Sequence, residues 1–239
     1  MPLLQIPPDR LYRSELSWRT SRYHFSFADY HDPERMQFGV LRALNDETIQ
    51  SNHGFDSHPH AEMEILSYCI QGELNHKDNI GNDVTIRRGD VQYMCAGSGM
   101  MHAEMNLSTD QPLRFIQIWL LPNQDRLPPY YEHKSFQQED RLNKWLLVAS
   151  GNGFQNTLQI HQDVNVFVTE LLRDEQIQFA TNINRQIYLV CMEGKVTTHH
   201  LELEQHGALQ IYNEDKTVFK AIEDSQLLLV EMAAASVNE

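Results

Sequence analysis

The feature that most constrains this chain is its punctuation: apolar or alternating runs of strand length, rich in Val, Ile, Tyr and Phe, are repeatedly cut by Gly, Asn and Asp. Representative runs cover residues 38–44, 63–70, 83–86, 91–94 and 113–121, then 164–172, 187–192, 208–212 and 226–232. Segments this short are strand-sized, and many of them at close spacing indicate an antiparallel sandwich or barrel. An all-β fold with little helix is predicted. The best helical candidates are residues 138–148 and a single turn over 32–36, just after Asp32-Pro33 begins.

Three prolines in LPNQDRLPP (121–129) interrupt strand pairing, and residues 150–156 are rich in Gly and Asn. The predicted division is a first domain over 1–135, a linker with a short helix over 136–150, and a second domain over 151–239. An internal repeat supports two lobes. ILSYCIQG (65–72) followed by GDVQYM from Gly89 is matched by IYLVCMEG (187–194) followed by GALQIY from Gly207. Placing Gly194 on Gly72 sets Ala180, Asn182 and Gln186 opposite His58, His60 and Glu64; placing Gly207 on Gly89 sets Lys220 opposite His102. None of these is a histidine, so the second lobe is expected to be metal-free.

The chemistry concentrates in the first lobe. Residues i and i+2 of a strand share a face, so His58 and His60 can set two imidazoles side by side, as His102 and Glu104 can set an imidazole and a carboxylate. Three imidazoles and one carboxylate suit a divalent transition metal with positions left open for water, oxygen or a chelating substrate. Surface histidines are the plain alternative, since the chain has 12 of them. Spacing favours the metal. The string runs His58-x-His60-x-x-x-Glu64, then Gly72, Gly89, Gly97, Gly99, His102 and Asn106.

That string resembles the two-part cupin signature, with Cys95 where a proline is usual. Residues 23–30 (YHFSFADY), Asp32-Pro33 and residues 42–46 (RALND) resemble the opening of the pirin family, as do HPHAEMEIL from His58 and AGSGMMHAE over 96–104. The likeness runs from about residue 11 to about residue 232. It implies a bicupin: two tandem antiparallel, jelly-roll-like β-barrels with one mononuclear metal in the first. The ligands it implies are His58, His60, His102 and Glu104. Iron(II) is the usual metal, with manganese, nickel, cobalt, copper or zinc compatible with the donors. The activity it implies is cleavage of a flavonol by O2 with release of carbon monoxide, as in quercetin 2,3-dioxygenase. Glu104 would serve as proton acceptor, and Glu64, on the histidine face, is a second candidate base or an orienting carboxylate. Glu62 shares that parity, and a bulge near Pro59 would decide between them. The alternative is a metal-bound redox or ligand sensor acting through a protein partner.

Charge and cysteine bound the rest. With 33 acidic against 19 basic residues, the formal charge of -14 disfavours direct nucleic-acid contact. Three scattered cysteines make no disulfide framework, and no apolar run approaches membrane-spanning length. A cytoplasmic monomer is the expectation. His24 and His31 are candidates for the cavity mouth; His53, His76, His133 and His161 lack partners at ligand spacing, His199 and His200 fall at a turn after Thr197-Thr198, and His206 precedes a turn glycine.

Overall fold

The computed structural model describes residues 3–234. The chain divides into two units, one made of residues 12–136 with 160–162 and the other of the remainder. Strand β1 (Leu3–Ile6) precedes the first unit but belongs to the second. The first unit contains β2 (Tyr12–Leu16), β3 (Arg19–Tyr23), β4 (Leu41–Ile49), β5 (His53–His60), β6 (Glu64–Gln71) and β7 (Glu73–Asp78). It continues through β8 (Asp83–Arg87), β9 (Val91–Cys95), β10 (Met100–Asn106), β11 (Leu113–Leu120) and β12 (Tyr130–Lys134). The second adds β13 (Leu146–Ser150), β14 (Leu158–Gln159), β15 (Val164–Leu171), β16 (Gln176–Ala180) and β17 (Arg185–Glu193). It ends with β18 (Lys195–Thr198), β19 (Leu201–Glu204), β20 (Ala208–Tyr212), β21 (Lys216–Ala221) and β22 (Ser225–Ala233).

Each unit pairs a seven-stranded sheet with a four-stranded one. In the first the orders are β12-β9-β6-β11-β4-β3-β2 and β5-β10-β7-β8; in the second they are β1-β20-β17-β22-β15-β13-β14 and β16-β21-β18-β19. Among the described residues every strand pair is antiparallel except β13 with β14. The expected all-β architecture is therefore present, and among the described residues its helix is confined to two three-residue 3-10 turns, Pro8–Arg10 and Gln138–Asp140.

The sequence repeat is a repeat of structure. β6 and β17 are central strands, buried along nearly their whole length as an apolar run demands. Each ends at a glycine in the left-handed region, Gly72 at φ +77° and Gly194 at φ +76°. A side chain there would run into the backbone of the neighbouring turn, at Pro112 O and Asp224 O respectively. The preceding thiols, Cys69 and Cys191, both point at the carbonyl of their own turn glycine, 3.5 Å away in each case.

The interiors differ. One end of the first unit is closed by Ile49, Cys69, Leu74, Ile86, Leu113 and Phe115. In the second unit Phe179 and Phe219 fill the interior, with Trp145 and Phe167 packed against that cluster. Here the register expected from the glycines needs correction. Ala180 and Lys220 are exposed, and their neighbours Phe179 and Phe219 point inward. A unit shift in a period-two pattern reverses every side chain, and glycine alignment cannot resolve a single residue.

The helix expected over 138–148 is also corrected. Only its first turn is helical, because Asn143 adopts φ +54° and Leu146–Ser150 pair with β15 as β13. Arg141 is instead drawn to Glu170, with Nε 3.0 Å from Oε1. The stretch expected as a linker over 136–150 thus ends in a sheet strand. At 32–36 the expected helical turn is reduced to a hydrogen-bonded reverse turn, with Arg35 N donating to Asp32 O at 3.0 Å. Among the described residues no helix is long and apolar enough to cross a membrane.

Candidate metal centre

β5 and β10 lie side by side with His102 opposite His58. Gly54 permits the close approach, since a Cβ there would lie 2.2 Å from the Glu104 carbonyl oxygen. Between His102 and Glu104 the register slips, so that Glu104 faces Phe55. The extra residue lies on β5 between Phe55 and His58, rather than at Pro59, and it turns Phe55, His58 and His60 toward one cavity. The i,i+2 expectation holds for both pairs of strand neighbours.

Ring centroids of His58, His60 and His102 lie 4.5–4.9 Å apart, and one ring nitrogen from each falls within 4.8 Å of the others. His102, His76 and Glu104 form an overlapping group. Burial lowers His60 to about 4 and His102 to about 3, with the neighbouring imidazoles adding to the effect. Both rings are therefore neutral near pH 7 and keep a lone pair for a metal.

Which nitrogen carries that lone pair follows from the hydrogen bonds. His58 Nδ1 is 2.7 Å from the Asp56 carbonyl, which can only accept, so Nδ1 holds the proton and Nε2 is bare. For His102 the chain is longer. Asp78 is stripped of solvent, which would raise its carboxyl, but Asn82 and His76 donate to it and hold it below the usual range. His76 Nε2 lies 3.1 Å from Asp78 Oδ2 and so carries a proton. Its Nδ1, 3.3 Å from His102 Nδ1, accepts from that atom and leaves His102 Nε2 bare. That Nε2 is buried with no hydrogen-bond partner, as a nitrogen reserved for a metal should be. The donor set fits a divalent transition metal. His76 and Asp78 were not anticipated, although the i,i+2 spacing of His76-Lys77-Asp78 carries the same face-sharing signal. Asp78→Asn is expected to lower metal affinity by about 10–100-fold, the range for lost outer partners, in a competitive chelator titration.

Glu104 is held in place by amides from the opposite sheet. Gln92 Nε2 donates to Oε1 at 2.8 Å and Gln117 Nε2 to Oε2 at 2.6 Å, with Ser67 Oγ 3.3 Å from Oε1. The amides are themselves oriented, because Gln117 Oε1 accepts from Trp119 Nε1 and Gln92 Oε1 from Tyr131.

Glu64, the other candidate base, is placed elsewhere. It is fully buried, accepts from Tyr93 Oη at 2.5 Å, and binds the backbone N–H groups of His161 at 2.7 Å and Gln162 at 3.0 Å. It does not line the cavity beside His58 and His60. Its role is to anchor residues 160–162 to the first unit, which corrects the reading of Glu64 as a base. His161, which has no partner at ligand spacing in the sequence, takes part in this anchor through Tyr93. Glu62 sits at φ +50° and accepts from Arg126 N, away from the cavity.

The cavity, of about 190 Å³, is walled by Phe27, Phe55 and Trp119 around His58, His60 and Glu104. Glu47 also faces it. Burial pushes Glu47 up to about 7; Ser21 and Arg19 oppose this, and Asp46 and Glu104 add to it. The folded chain thus binds a proton that the unfolded chain releases near the ordinary carboxylate value. The associated stability is complete below that value and is lost as pH rises through about 7. Relative to the parent, Glu47→Gln is expected to gain about 3 kcal/mol between acid and mildly alkaline pH, read from urea unfolding at each pH.

Comparison with known proteins agrees with this architecture. Residues 7–120 match the Pirin family model, and residues 147–232 match the quercetinase C-terminal cupin domain. The chain is 35% identical over 215 residues to quercetin 2,3-dioxygenase of Escherichia coli K12, covering 90% of this chain and 92% of that protein. A pirin-like protein of Caulobacter vibrioides is 38% identical over 228 residues, covering 95% and 98%. The crystal structure of the bacterial pirin YhhW of Escherichia coli in complex with nickel(II) superposes with a TM-score of 0.91 at 32% identity, covering 98% of this chain and all of that one. With both barrels and nearly the full length matched, the chain belongs to the pirin family of bicupins.

Proposed function

We propose that this protein is a metal-dependent dioxygenase that cleaves a flavonol with O2, in the manner of quercetin 2,3-dioxygenase. The observation that carries the reading is the convergence of three imidazole nitrogens within 4.8 Å of one another at an aromatic-walled cavity. The names of relatives at about this identity support the substrate class. His58, His60 and His102 would hold the metal through bare nitrogens, and Glu104 would complete the set. Iron(II) is our first choice; nickel, found in the related YhhW structure, is the second. When bound, the metal supplies a Lewis acid and a template for substrate and oxygen.

The chain's own residues do the rest. Phe27, Phe55 and Trp119 form an aromatic wall against which a flat ring packs, shielding it from water. Gln92 and Gln117 fix the Glu104 carboxylate, which accepts the proton of the flavonol 3-hydroxyl at one of its oxygens. Protein loaded separately with iron, nickel, manganese, cobalt or copper is expected to bleach quercetin absorbance under oxygen with at least one of them. A His60→Ala variant should not. If no metal raises turnover above that variant, the dioxygenase reading fails and a regulatory role through a protein partner takes its place.

A further inference from the structure

Inside the first unit the two sheets face the cavity with different chemistry. β5 and β10, on the four-stranded sheet, present the imidazoles. Opposite them β4, in the seven-stranded sheet, presents Asn45 and Glu47 through the parity that also turns Ile49 inward to the apolar plug. Asp46, on the other face of β4, is already matched by a two-pronged contact from Arg114, at 2.9 and 2.7 Å. The inward pair is not so matched.

Asn45 is 1% exposed, and its Oδ1 is buried without a hydrogen-bond partner. Glu47 is 3% exposed and accepts from Ser21 Oγ. Arg19, from β3, covers the pair. Its guanidinium lies 5.4 Å from the ring centroids of both Trp18 and Phe55, and its Nε is buried and unbonded. Buried polar atoms in native proteins almost always have partners, and leaving one unmet costs about 1–3 kcal/mol. Two unmet polar atoms, Arg19 Nε and Asn45 Oδ1, on the cavity wall that also carries Glu47 therefore describe a surface waiting for a polar ligand. The unmet acceptor is Asn45 Oδ1, which lacks an O–H or N–H donor, and the Glu47 carboxyl lines the cavity two residues along the same strand.

We propose that Asn45 and Glu47, covered by Arg19, form a hydroxyl-binding pole on the sheet opposite the imidazoles, and that it selects planar aromatic ligands bearing hydroxyl groups beyond those a metal engages. The ligand class rests on the flavonol reading above; the pole rests on the unmet Asn45 Oδ1 and Arg19 Nε and on Glu47 beside them in the cavity lining. A polyhydroxylated ring would donate to Asn45 Oδ1 and meet Glu47 while packing against the aromatic wall of Phe27, Phe55 and Trp119. Tyr23, whose own ionisation is opposed by burial and by Glu47, and Asp46 and Glu104 are the other titratable groups around Glu47 besides Arg19. Its carboxyl can meet a hydroxyl as acceptor or as donor.

The test uses metal-free full-length protein, so that no metal can bind the probe. Catechol is compared with 1,2-dimethoxybenzene, which has the same ring and oxygens but no donor, by NMR titration. The parent is expected to favour catechol by about tenfold, the value of one net hydrogen bond. Asn45→Leu and Glu47→Met should reduce that preference to about twofold or less, with Glu47→Gln intermediate. Metal affinity should stay at the parental level in Asn45→Leu, which changes no charge and touches none of the groups that hold Glu104. Should the apolar variants not fold, isotope-edited infrared spectra of the parent serve instead. The carboxyl band missing from Glu47→Gln should shift with catechol and stay still with 1,2-dimethoxybenzene. No preference in the parent, a preference that survives both substitutions, or a still band would overturn the pole. A catechol preference that depends on these residues, with no quercetin turnover by any metal-loaded form, would keep the pole and discard the dioxygenase.

Discussion

Glu64→Leu is expected to lower the stability of the protein by about 3–5 kcal/mol, because three donors lose a buried acceptor at once. Tyr93 Oη and the N–H groups of His161 and Gln162 all converge on this one carboxylate. Leucine fills similar volume but accepts nothing, so each donor is left desolvated. Glu64→Gln keeps one carbonyl oxygen and should lose less. Urea unfolding monitored by circular dichroism measures both. The same pair of variants separates anchor from base: a catalytic Glu64 would make the glutamine variant inactive at unchanged stability, whereas the anchor predicts the reverse. Equal stability of Glu64→Leu and the parent would refute the assignment.

His102→Ala should remove stoichiometric metal binding, lowering affinity by more than the ~100-fold upper range of an outer-partner loss. His102 is the hub of the site. It stands opposite His58 across β5 and β10, touches both potential ligand groups, and receives the Asp78–His76 chain on its Nδ1. Its removal deletes a donor and leaves His76 Nδ1 without its partner. A His58→Ala/His102→Ala variant should bind no metal at all, while Lys220→Ala, exposed on β21 in the second unit, should match the parent. Elemental analysis after dialysis against iron or nickel reads the result. Full metal retention by the double variant would show that the ligands lie elsewhere.

The two outcomes also mark how far the sequence could be read. Strands with long apolar runs, such as β6, β11, β15, β17 and β22, were legible because they are central and buried on both faces. β3 and β7 were not, since RTSRY and ELNHKD carry polar residues toward solvent or toward a polar cavity; β5 was legible only through the His58/His60 pair. The run expected from residue 38 begins as a strand only at Leu41, because Gly39 takes φ +55° in a tight turn between Phe38 and Leu41.

The candidate site divides in the same way. His58, His60, His102 and Glu104 could be picked out because period-two geometry makes i,i+2 pairs meaningful without knowing the partner strand. Glu64 shares their parity and was drawn to the cavity on that basis. The structure turns it to residues 160–162, nearly a hundred positions away, which no local pattern encodes. Gln92, Gln117 and Ser67 come from three further strands and meet Glu104 only when the two sheets face each other.

The sequence by itself determined the strand content, the duplicated unit, the family likeness and the strand neighbours able to share a metal, since these depend on spacing along one chain. Tertiary structure decided which carboxylate faces the cavity, which histidine nitrogen is left bare, and where polar groups lack partners. Those are properties of contacts between strands distant in sequence. A hydrogen-bond partner or its absence exists only after the sheets have closed.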